Sequence, residues 1–204
     1  MKIRDFETKI KELTVFNLND IRKITPDFHR QQLIYWQMKG YIKPLAGGYY
    51  LLADREINEM DLFMIANKIY EPSYVSLESA LAYYRIIPES VLGVTSISSR
   101  KTNEFASAWG IFRYRSIKPP LIGYQVLQIN QSNKFKIAFL EKAILDYLYL
   151  NPDIHTPADF EGLRWNKRQL FDQINTTVFE KYLRILGKNA LEIRAKKFME
   201  YLNA

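Results

Sequence analysis

One stretch, residues 17–52, restricts the fold of this 204-residue chain more than any other. It holds a short amphipathic segment from Leu18 to Ile24, a break at Thr25-Pro26, and a second helical segment from Asp27 to Lys39. Two short apolar runs follow, and Gly47-Gly48 between them permits the positive φ of a hairpin turn. Two helices followed at once by a two-stranded ribbon are typical of a winged helix-turn-helix, a unit that places one helix in a DNA groove. The alternative is an ordinary buried helix in an α-helical domain.

Residues at the expected helix ends fit this interpretation. An apolar stripe over residues 2–13 predicts a first helix that packs beneath the other two. Asn17 or Asn19 is expected to cap the second helix. Thr25-Pro26 is expected to start the third, with threonine as N-cap and proline at the first helical position, where no amide hydrogen is needed. Gly40 is expected to end the third helix.

The third helix is apolar almost all round, so its faces are assigned by position. We expect His29, Leu33 and Trp36 to be buried. On the opposite side, arginine, glutamine and tyrosine side chains are expected to read base edges. Lysines on and beside the helix are expected to contact phosphates. The predicted DNA-binding residues are Lys23, Arg30, Gln31, Tyr35, Lys39 and Lys43.

The net charge of +7 is unevenly distributed along the chain. Residues 1–52 hold nine Lys/Arg against five Asp/Glu, residues 53–161 hold eleven against thirteen, and residues 162–204 hold nine against four. Two basic ends suit a polyanionic partner, because phosphates that are neutralised by clustered cations release counterions. Solvated basic helices in a chain of high pI are the alternative, and charge alone does not choose between the two.

The sequence predicts two domains. A polar, acidic segment separates a winged helix-turn-helix domain over residues 1–53 from a mixed domain over residues 57–204. β-Branched and aromatic residues over about 91–129 predict a small antiparallel sheet in the second domain, with Pro119-Pro120 between its last two strands. The expected class is therefore α+β: an N-terminal winged helix-turn-helix, then a small antiparallel sheet, then a helical C-terminus.

Two helical regions of the second domain carry further expectations. Helices are predicted at 134–150 and across 164–203. Lys142 and Asp146 are expected to form a simple ion pair at the i, i+4 spacing. Cations of this domain are expected to make a second phosphate contact or to be solvated: Arg100, Lys101, Arg113, Arg115, Arg194 and Lys197.

Composition excludes several kinds of site. The chain has no cysteine and two histidines, which rules out a disulfide framework and leaves little material for a metal site. It has no Asp-x-Asp pair, no P-loop and no Ser/His/Asp set, and Ser76 is expected to be a helix N-cap instead of a nucleophile. We therefore expect no enzyme, no cofactor and no metal. The N-terminus lacks an apolar run and no window reaches transmembrane length, so a cytoplasmic protein without a membrane partner is expected.

Three stretches of the chain resemble the AbiEi family of antitoxins, transcriptional regulators of bacterial phage-defence and type IV toxin-antitoxin operons. The first stretch ends the N-terminal unit, the second spans the start of the larger domain, and the third follows the predicted sheet. They are Lys39-Gly40-Tyr41-Ile42 with Gly48-Tyr49-Tyr50; Tyr74-Val75-Ser76-Leu77-Glu78-Ser79-Ala80-Leu81 with Ile87-Pro88-Glu89 and Thr95-Ser96-Ile97-Ser98-Ser99-Arg100-Lys101-Thr102; and Ala138-Phe139-Leu140-Glu141-Lys142-Ala143-Ile144-Leu145-Asp146.

The resemblance implies an autorepressor that binds double-stranded operator DNA through its winged domain. It also implies that the larger domain acts as antitoxin against a genetically linked nucleotidyltransferase toxin, without forming a stable complex with it. Leu140 stands where the family more often has proline, and this departure bears on the antitoxin activity. The alternatives are a stand-alone winged-helix regulator and a protein-interaction adaptor.

Overall fold

The computed structural model describes residues 3–10, 13–88, 93–118 and 120–204. The predicted sheet start at Val91 and Pro119 of the Pro119-Pro120 pair lie outside these ranges. Within them the chain is mixed α+β, with helices and two separate sheets. None of the described helices combines the length and the apolar character needed to cross a membrane.

The N-terminal unit consists of three short helices and a three-stranded antiparallel sheet of order β1-β3-β2. Its elements are α1 (Ile3–Lys9), β1 (Phe16–Asn17), α2 (Leu18–Ile24), α3 (Arg30–Met38), β2 (Ile42–Pro44), a single 3-10 turn (Ala46–Gly48) and β3 (Tyr49–Leu52). The three helices and one face of the sheet enclose a core that is rich in aromatic rings. The predicted order of three helices and two hairpin strands is confirmed in this part of the chain, whereas β1, the third strand of the sheet, was not predicted.

The helix ends of this unit agree with the sequence only in part. Asn17 caps α2 through a capping box with Asp20, as one of the two predicted alternatives. The prediction for Thr25-Pro26 is wrong: Thr25 ends α2, and its carbonyl accepts the amide of Phe28 in a turn. α3 begins three residues later than expected, at Arg30, because Phe28 must leave the helical path to enter the core.

The larger part of the chain is a six-stranded sheet with helices on both faces. Its elements are α4 (Glu59–Ile69), β4 (Ser73–Val75), α5 (Leu77–Tyr83), β5 (Val94–Ser98), β6 (Asn103–Ser107), β7 (Gly110–Ser116), β8 (Tyr124–Gln128), β9 (Lys134–Ala138), α6 (Leu140–Leu150), α7 (Pro157–Gly162), α8 (Lys167–Gln173), α9 (Thr176–Leu186) and α10 (Asn189–Asn203). The strand order is β6-β7-β5-β4-β9-β8. The predicted helical C-terminus is confirmed.

The prediction of a small antiparallel sheet at about 91–129 is wrong in extent and in type. The sheet also takes in β4 before that range and β9 after it, and the pairs β5/β7 and β4/β9 are parallel. The predicted helix at 134–150 is likewise wrong over residues 134–139, because β9 occupies 134–138 and α6 begins at Leu140. Phe135 and Ile137 are buried on one side of strand β9, and their period of two merges in sequence with the apolar run of α6.

Two layers of helix enclose the large sheet. Tyr74 pairs with Ile97, whereas Tyr114 pairs with the neighbouring Ser96, so the two tyrosines point to opposite faces. On one face the Tyr114 hydroxyl donates to the carbonyl of Ala66 in α4. On the other face the Tyr74 hydroxyl donates to Asp146 in α6. The sheet is therefore buried between α4 and α6.

The central strand of the small sheet, β3, belongs to both cores. Leu51 is fully buried in the large core, with Val15 and Leu45 beside it. Tyr50 and Leu52, which point the other way, pack against the N-terminal core. The segment after β3 is also fastened, because the Arg55 guanidinium donates to the Thr14 hydroxyl at 3.1 Å. The N-terminal unit thus sits on the larger part through the back of its sheet.

Candidate nucleic-acid interface

α3 is held in place by two large side chains on its inner face. Leu33 and Trp36 are buried, as predicted. The Trp36 ring lies 4.6 Å from the Phe6 ring and 5.4 Å from the Phe28 ring, measured between centroids. Burial of such side chains contributes about 1.5–3 kcal/mol each. The prediction that His29 is buried is wrong: it is the exposed N-cap of α3, and Phe28 takes the inner place.

The outer face of α3 consists of two rows of side chains at the i, i+4 spacing. One row is Arg30, Ile34 and Met38, and the other is Gln31 and Tyr35 followed by Lys39 at the helix end. All six are exposed. The predicted DNA-facing residues of this helix are therefore together on one accessible surface, which we call the α3 face.

The three lysines predicted to contact phosphate lie on α2, at the end of α3 and on β2. The Lys39 ammonium lies 5.8 Å from the centroid of the Tyr35 ring. Lys23 extends from α2 into solvent, 3.7 Å from Asp20. Lys43, on β2, is exposed with its ammonium 5.8 Å from the centroid of the Trp109 ring in the β6–β7 turn. The structure thus keeps each of these cations accessible to a ligand.

The α3 face is also free of acidic groups in its own stretch of chain. Between Phe28 and Ala53 the sequence has three cations and no aspartate or glutamate. An anion at this surface would meet no like charge from α3 or from the hairpin that follows. Arg22, which sequence reasoning missed, fixes the turn before α3, since its Nε donates to the Phe28 carbonyl at 3.4 Å. Its position one residue before Lys23, a predicted DNA contact, could have identified it from the sequence.

Three large apolar side chains lie exposed on the α3 face, and the sequence analysis assigned a role to only one of them, Tyr35. Ile34 is 52% exposed, Tyr35 50% and Met38 75%. The i, i+4 spacing of Ile34 and Met38 from Arg30 could have identified two of them. Exposed apolar side chains that lie together are found at interaction sites of proteins, so these three mark the α3 face as a candidate contact surface.

The hairpin after α3 packs against the larger part of the chain. Gly47, at φ +68°, lies so close to α4 that a Cβ there would come within 2.9 Å of the Ile69 carbonyl oxygen. Tyr49 packs against the large core and Tyr50 stacks on Phe16. Burial raises the pKa of the Tyr49 hydroxyl above its ordinary value. The turn of the hairpin is therefore held against α4, and Lys43 is its accessible cation.

The second predicted group of cations is spread over three elements. Arg100 stacks over the Tyr70 ring at 4.1 Å and donates to the Glu71 carbonyl at 3.1 Å, and Lys101 beside it is exposed. Arg113 and Arg115 share one face of β7, as expected for residues two apart, and Arg113 pairs with Glu104 at 2.9 Å.

The remaining two of these cations are on α10 and differ from each other. Arg194 donates from Nε and Nη2 to the Leu148 carbonyl at 3.2 and 3.1 Å, so it caps the end of α6. Lys197 is exposed. Arg194 is thus bound within the protein, and the group does not form one continuous patch on a single element.

Beneath α6, four polar side chains form a buried network. Lys142 and Asp146 make the predicted ion pair, but with exposures of 0% and 1% it is not a simple surface pair. The Tyr74 hydroxyl donates to Asp146 at 2.9 Å and accepts from Lys142 at 2.8 Å. The Ser76 hydroxyl donates to the same carboxylate oxygen at 2.8 Å. Burial raises the pKa of Tyr74 well above its usual value, and the carboxylate of Asp146 adds to that rise.

This network joins two of the sequence stretches that carry the family resemblance. Ser76 stands at the N-cap of α5, as expected, although its hydroxyl bonds to Asp146 and not to a helix amide. Because all four side chains are buried, the network holds strand β4 to α6 and offers no surface to a substrate. Within the described ranges, no three His, Asp or Glu side chains come together as a metal site requires.

Comparison with known proteins adds no relative to this description. No protein-family model matches the chain, and no curated protein matches it with significant similarity.

Proposed function

We propose that the chain is a sequence-specific DNA-binding repressor whose N-terminal unit is a winged helix-turn-helix. Its element order, α1-β1-α2-α3-β2-β3, and its sheet order, β1-β3-β2, support this assignment. In such a unit the last helix lies in the major groove and its N-terminal residues contact base edges. Here that helix is α3. The observation that carries the proposal is the α3 face, an exposed surface that bears Arg30 and Lys39 and has no acidic group in its stretch of chain.

The proposed roles follow from side-chain chemistry. Arg30 and Gln31, in the first turn of α3, read base edges, because guanidinium and amide groups pair bidentately with guanine and adenine. Tyr35 completes the contact. Lys23, Lys39 and Lys43 contact phosphates and fix the orientation of the helix on the duplex.

We further propose that the chain is the antitoxin of a type IV toxin-antitoxin system and represses its own operon from the cytoplasm. The support is the resemblance of three stretches to the AbiEi family. Two of them meet in the buried network of Tyr74, Ser76, Lys142 and Asp146, so the residues that carry the likeness also hold the larger domain together. The partner is a genetically linked nucleotidyltransferase toxin, which it counteracts without a stable complex.

DNA binding is tested with the full chain and a duplex selected from a randomised pool. Fluorescence anisotropy at several salt concentrations gives the affinity and the salt slope. Arg30→Ala is expected to lose about 1–3 kcal/mol of specific binding, while Lys43→Ala weakens all sequences alike and lowers the salt slope by about one. Arg168→Ala, an exposed arginine on α8, is the matched control and should bind as the wild type does. If Arg30→Ala binds both the selected and the scrambled duplex with the same affinities as the wild type, α3 is not the helix that reads the bases.

The antitoxin role is tested by co-expression with the nucleotidyltransferase encoded beside it. Growth should be restored when the full chain is present, and a pull-down should recover no stable complex. Growth arrest that persists despite normal levels of the folded chain would leave a stand-alone repressor. This outcome does not affect the DNA-binding test.

A protein-interaction adaptor is the second candidate, and one observation favours it. Ile34 and Met38 place apolar surface on the α3 face, where a protein could pack. An adaptor would bind a partner protein through this face and would have no DNA affinity at low salt. The anisotropy measurement separates the two candidates directly.

A further inference from the structure

The α3 face has a chemical asymmetry along the helix. Arg30 and Gln31 supply hydrogen-bond donors in the first turn, whereas Ile34 and Met38, one and two turns further on, supply only apolar surface. Both are more than half exposed. One end of the face is therefore suited to polar atoms and the other to methyl groups.

The surroundings of these two apolar side chains limit what can cover them. The cations Arg30, Lys39 and Lys43 lie in the same acid-free stretch, from Phe28 to Ala53. An apolar peptide or a second copy of the chain would have to bring its own acidic groups to match those cations. A DNA major groove provides both features, because phosphates line its edges and the C5-methyl of thymine is the apolar group on its floor.

We propose that Ile34 and Met38 contact thymine C5-methyl groups, so that the chain recognises an operator with thymines at defined positions. This inference rests on the proposed DNA-binding function and names the bases that the helix reads. Residues four apart on a helix are separated by about 6 Å along its axis, which is close to two base-pair steps of about 3.4 Å. The two thymines therefore lie roughly two base pairs apart, and the nearer one lies roughly two base pairs from the base that Arg30 contacts.

The test removes the methyl groups and nothing else. A duplex selected with the wild-type chain is remade with deoxyuridine in place of each thymidine in turn, since uracil differs from thymine only at C5. Affinities of the full chain for each duplex are compared by anisotropy. Two substitutions should each weaken binding by about fourfold, the factor expected for one buried methyl-sized group, and the two positions should lie in the selected consensus.

The variants identify which side chain reads which methyl. In Ile34→Ala the loss caused by one deoxyuridine should disappear, and in Met38→Ala the loss caused by the other should disappear. Ile193→Ala is the matched control, because Ile193 is 59% exposed on α10. It should keep both losses at their wild-type size. Circular dichroism of each variant confirms that the exposed substitutions leave the fold intact.

The outcomes separate this inference from the function on which it rests. If the chain binds the selected duplex but no deoxyuridine weakens it, thymine recognition is overturned and DNA binding stands. Losses that persist unchanged in Ile34→Ala and Met38→Ala also overturn the inference. If the wild type binds no duplex even at low salt, both the proposed DNA-binding function and thymine recognition are overturned.

Discussion

The hydroxyl of Tyr74 and the carboxylate of Asp146, 72 positions apart in sequence, lie 2.9 Å from each other across the interface between β4 and α6. Lys142 bonds to both, and Ser76 bonds to the carboxylate. Every polar atom that Asp146 presents is directed at a partner inside the protein. The interface between β4 and α6 thus contains a hydrogen-bonded, buried ion pair, and removal of one partner would leave the other charge buried without compensation.

Asp146→Asn should therefore destabilise the chain strongly. It leaves the buried ammonium of Lys142 without a counter-charge, and breaking one side of such a pair costs about 3–5 kcal/mol. Urea denaturation followed by circular dichroism measures the change. Glu104→Gln, which breaks the exposed pair with Arg113, is the control and should cost less than about 1 kcal/mol. Equal losses in the two variants would contradict the role given to the buried pair.

The contact between the hairpin turn and α4 gives a prediction with a matched neighbour. Gly47 and Gly48 both have positive φ, +68° and +77°, but only at Gly47 would a Cβ meet backbone, 2.9 Å from the Ile69 oxygen. Gly48→Ala should cost about 1–2 kcal/mol from its backbone conformation alone. Gly47→Ala should cost more, because the hairpin must also move away from α4. Thermal unfolding of both variants measures the two losses of stability. A smaller loss of stability for Gly47→Ala than for Gly48→Ala would contradict the proposed close contact between the turn and α4.

Arg194 should matter for stability and not for DNA. Its two bonds to the Leu148 carbonyl are charge-assisted, and their loss in Arg194→Ala should cost about 1.5–3 kcal/mol. Lys197→Ala, on the same helix but exposed, should be close to neutral. Denaturation curves and anisotropy of both variants at one temperature make the comparison. A loss of DNA affinity in folded Arg194→Ala would assign this residue to the nucleic-acid surface after all.

Asp159 gives a prediction on pH. Three hydrogen bonds reach its carboxylate, from the His155 amide and from Thr156, and they lower its pKa from 3.8 to about 2. Because the folded pKa is below the unfolded one, the stabilising contribution is present above pH 3.8 and is lost as the pH falls toward 2. Carbon-detected NMR should show Asp159 still ionised at a pH where exposed aspartates have titrated. Thr156→Ala should raise its pKa, and an unchanged value would contradict the cause given.

The N-terminal unit was largely predictable from sequence because its signals are local. Asn17 caps a helix with its own side chain, Gly47-Gly48 turn the chain, and Leu33 and Trp36 follow the helical period. The predictions that His29 is buried and that Thr25 caps the third helix were wrong for a reason that is not local. Phe28 had to reach the rings of Phe6 and Trp36, so the chain leaves the helical path until Arg30.

The larger part of the chain was harder to predict, since its strands are defined by partners far away in sequence. β4 has three residues and β9 runs directly into a helix, so neither gives a periodic signal of its own. Lys142 and Asp146 have the i, i+4 spacing of an ion pair in the sequence. That spacing does not indicate that the hydroxyls of Tyr74 and Ser76 donate to Asp146 and that the pair is buried. The residues of the α3 face were predicted individually, while its apolar end, Ile34 and Met38, became visible only with the burial of the opposite side.

The position of β3 between the two cores determines how a shortened chain would behave. Leu51 on one side of this strand and Tyr50 on the other belong to different cores, so β3 is shared between the N-terminal unit and the larger part of the chain. A fragment ending at residue 53 would leave Val15, Leu45 and Leu51 in water, and it should aggregate where the full chain does not.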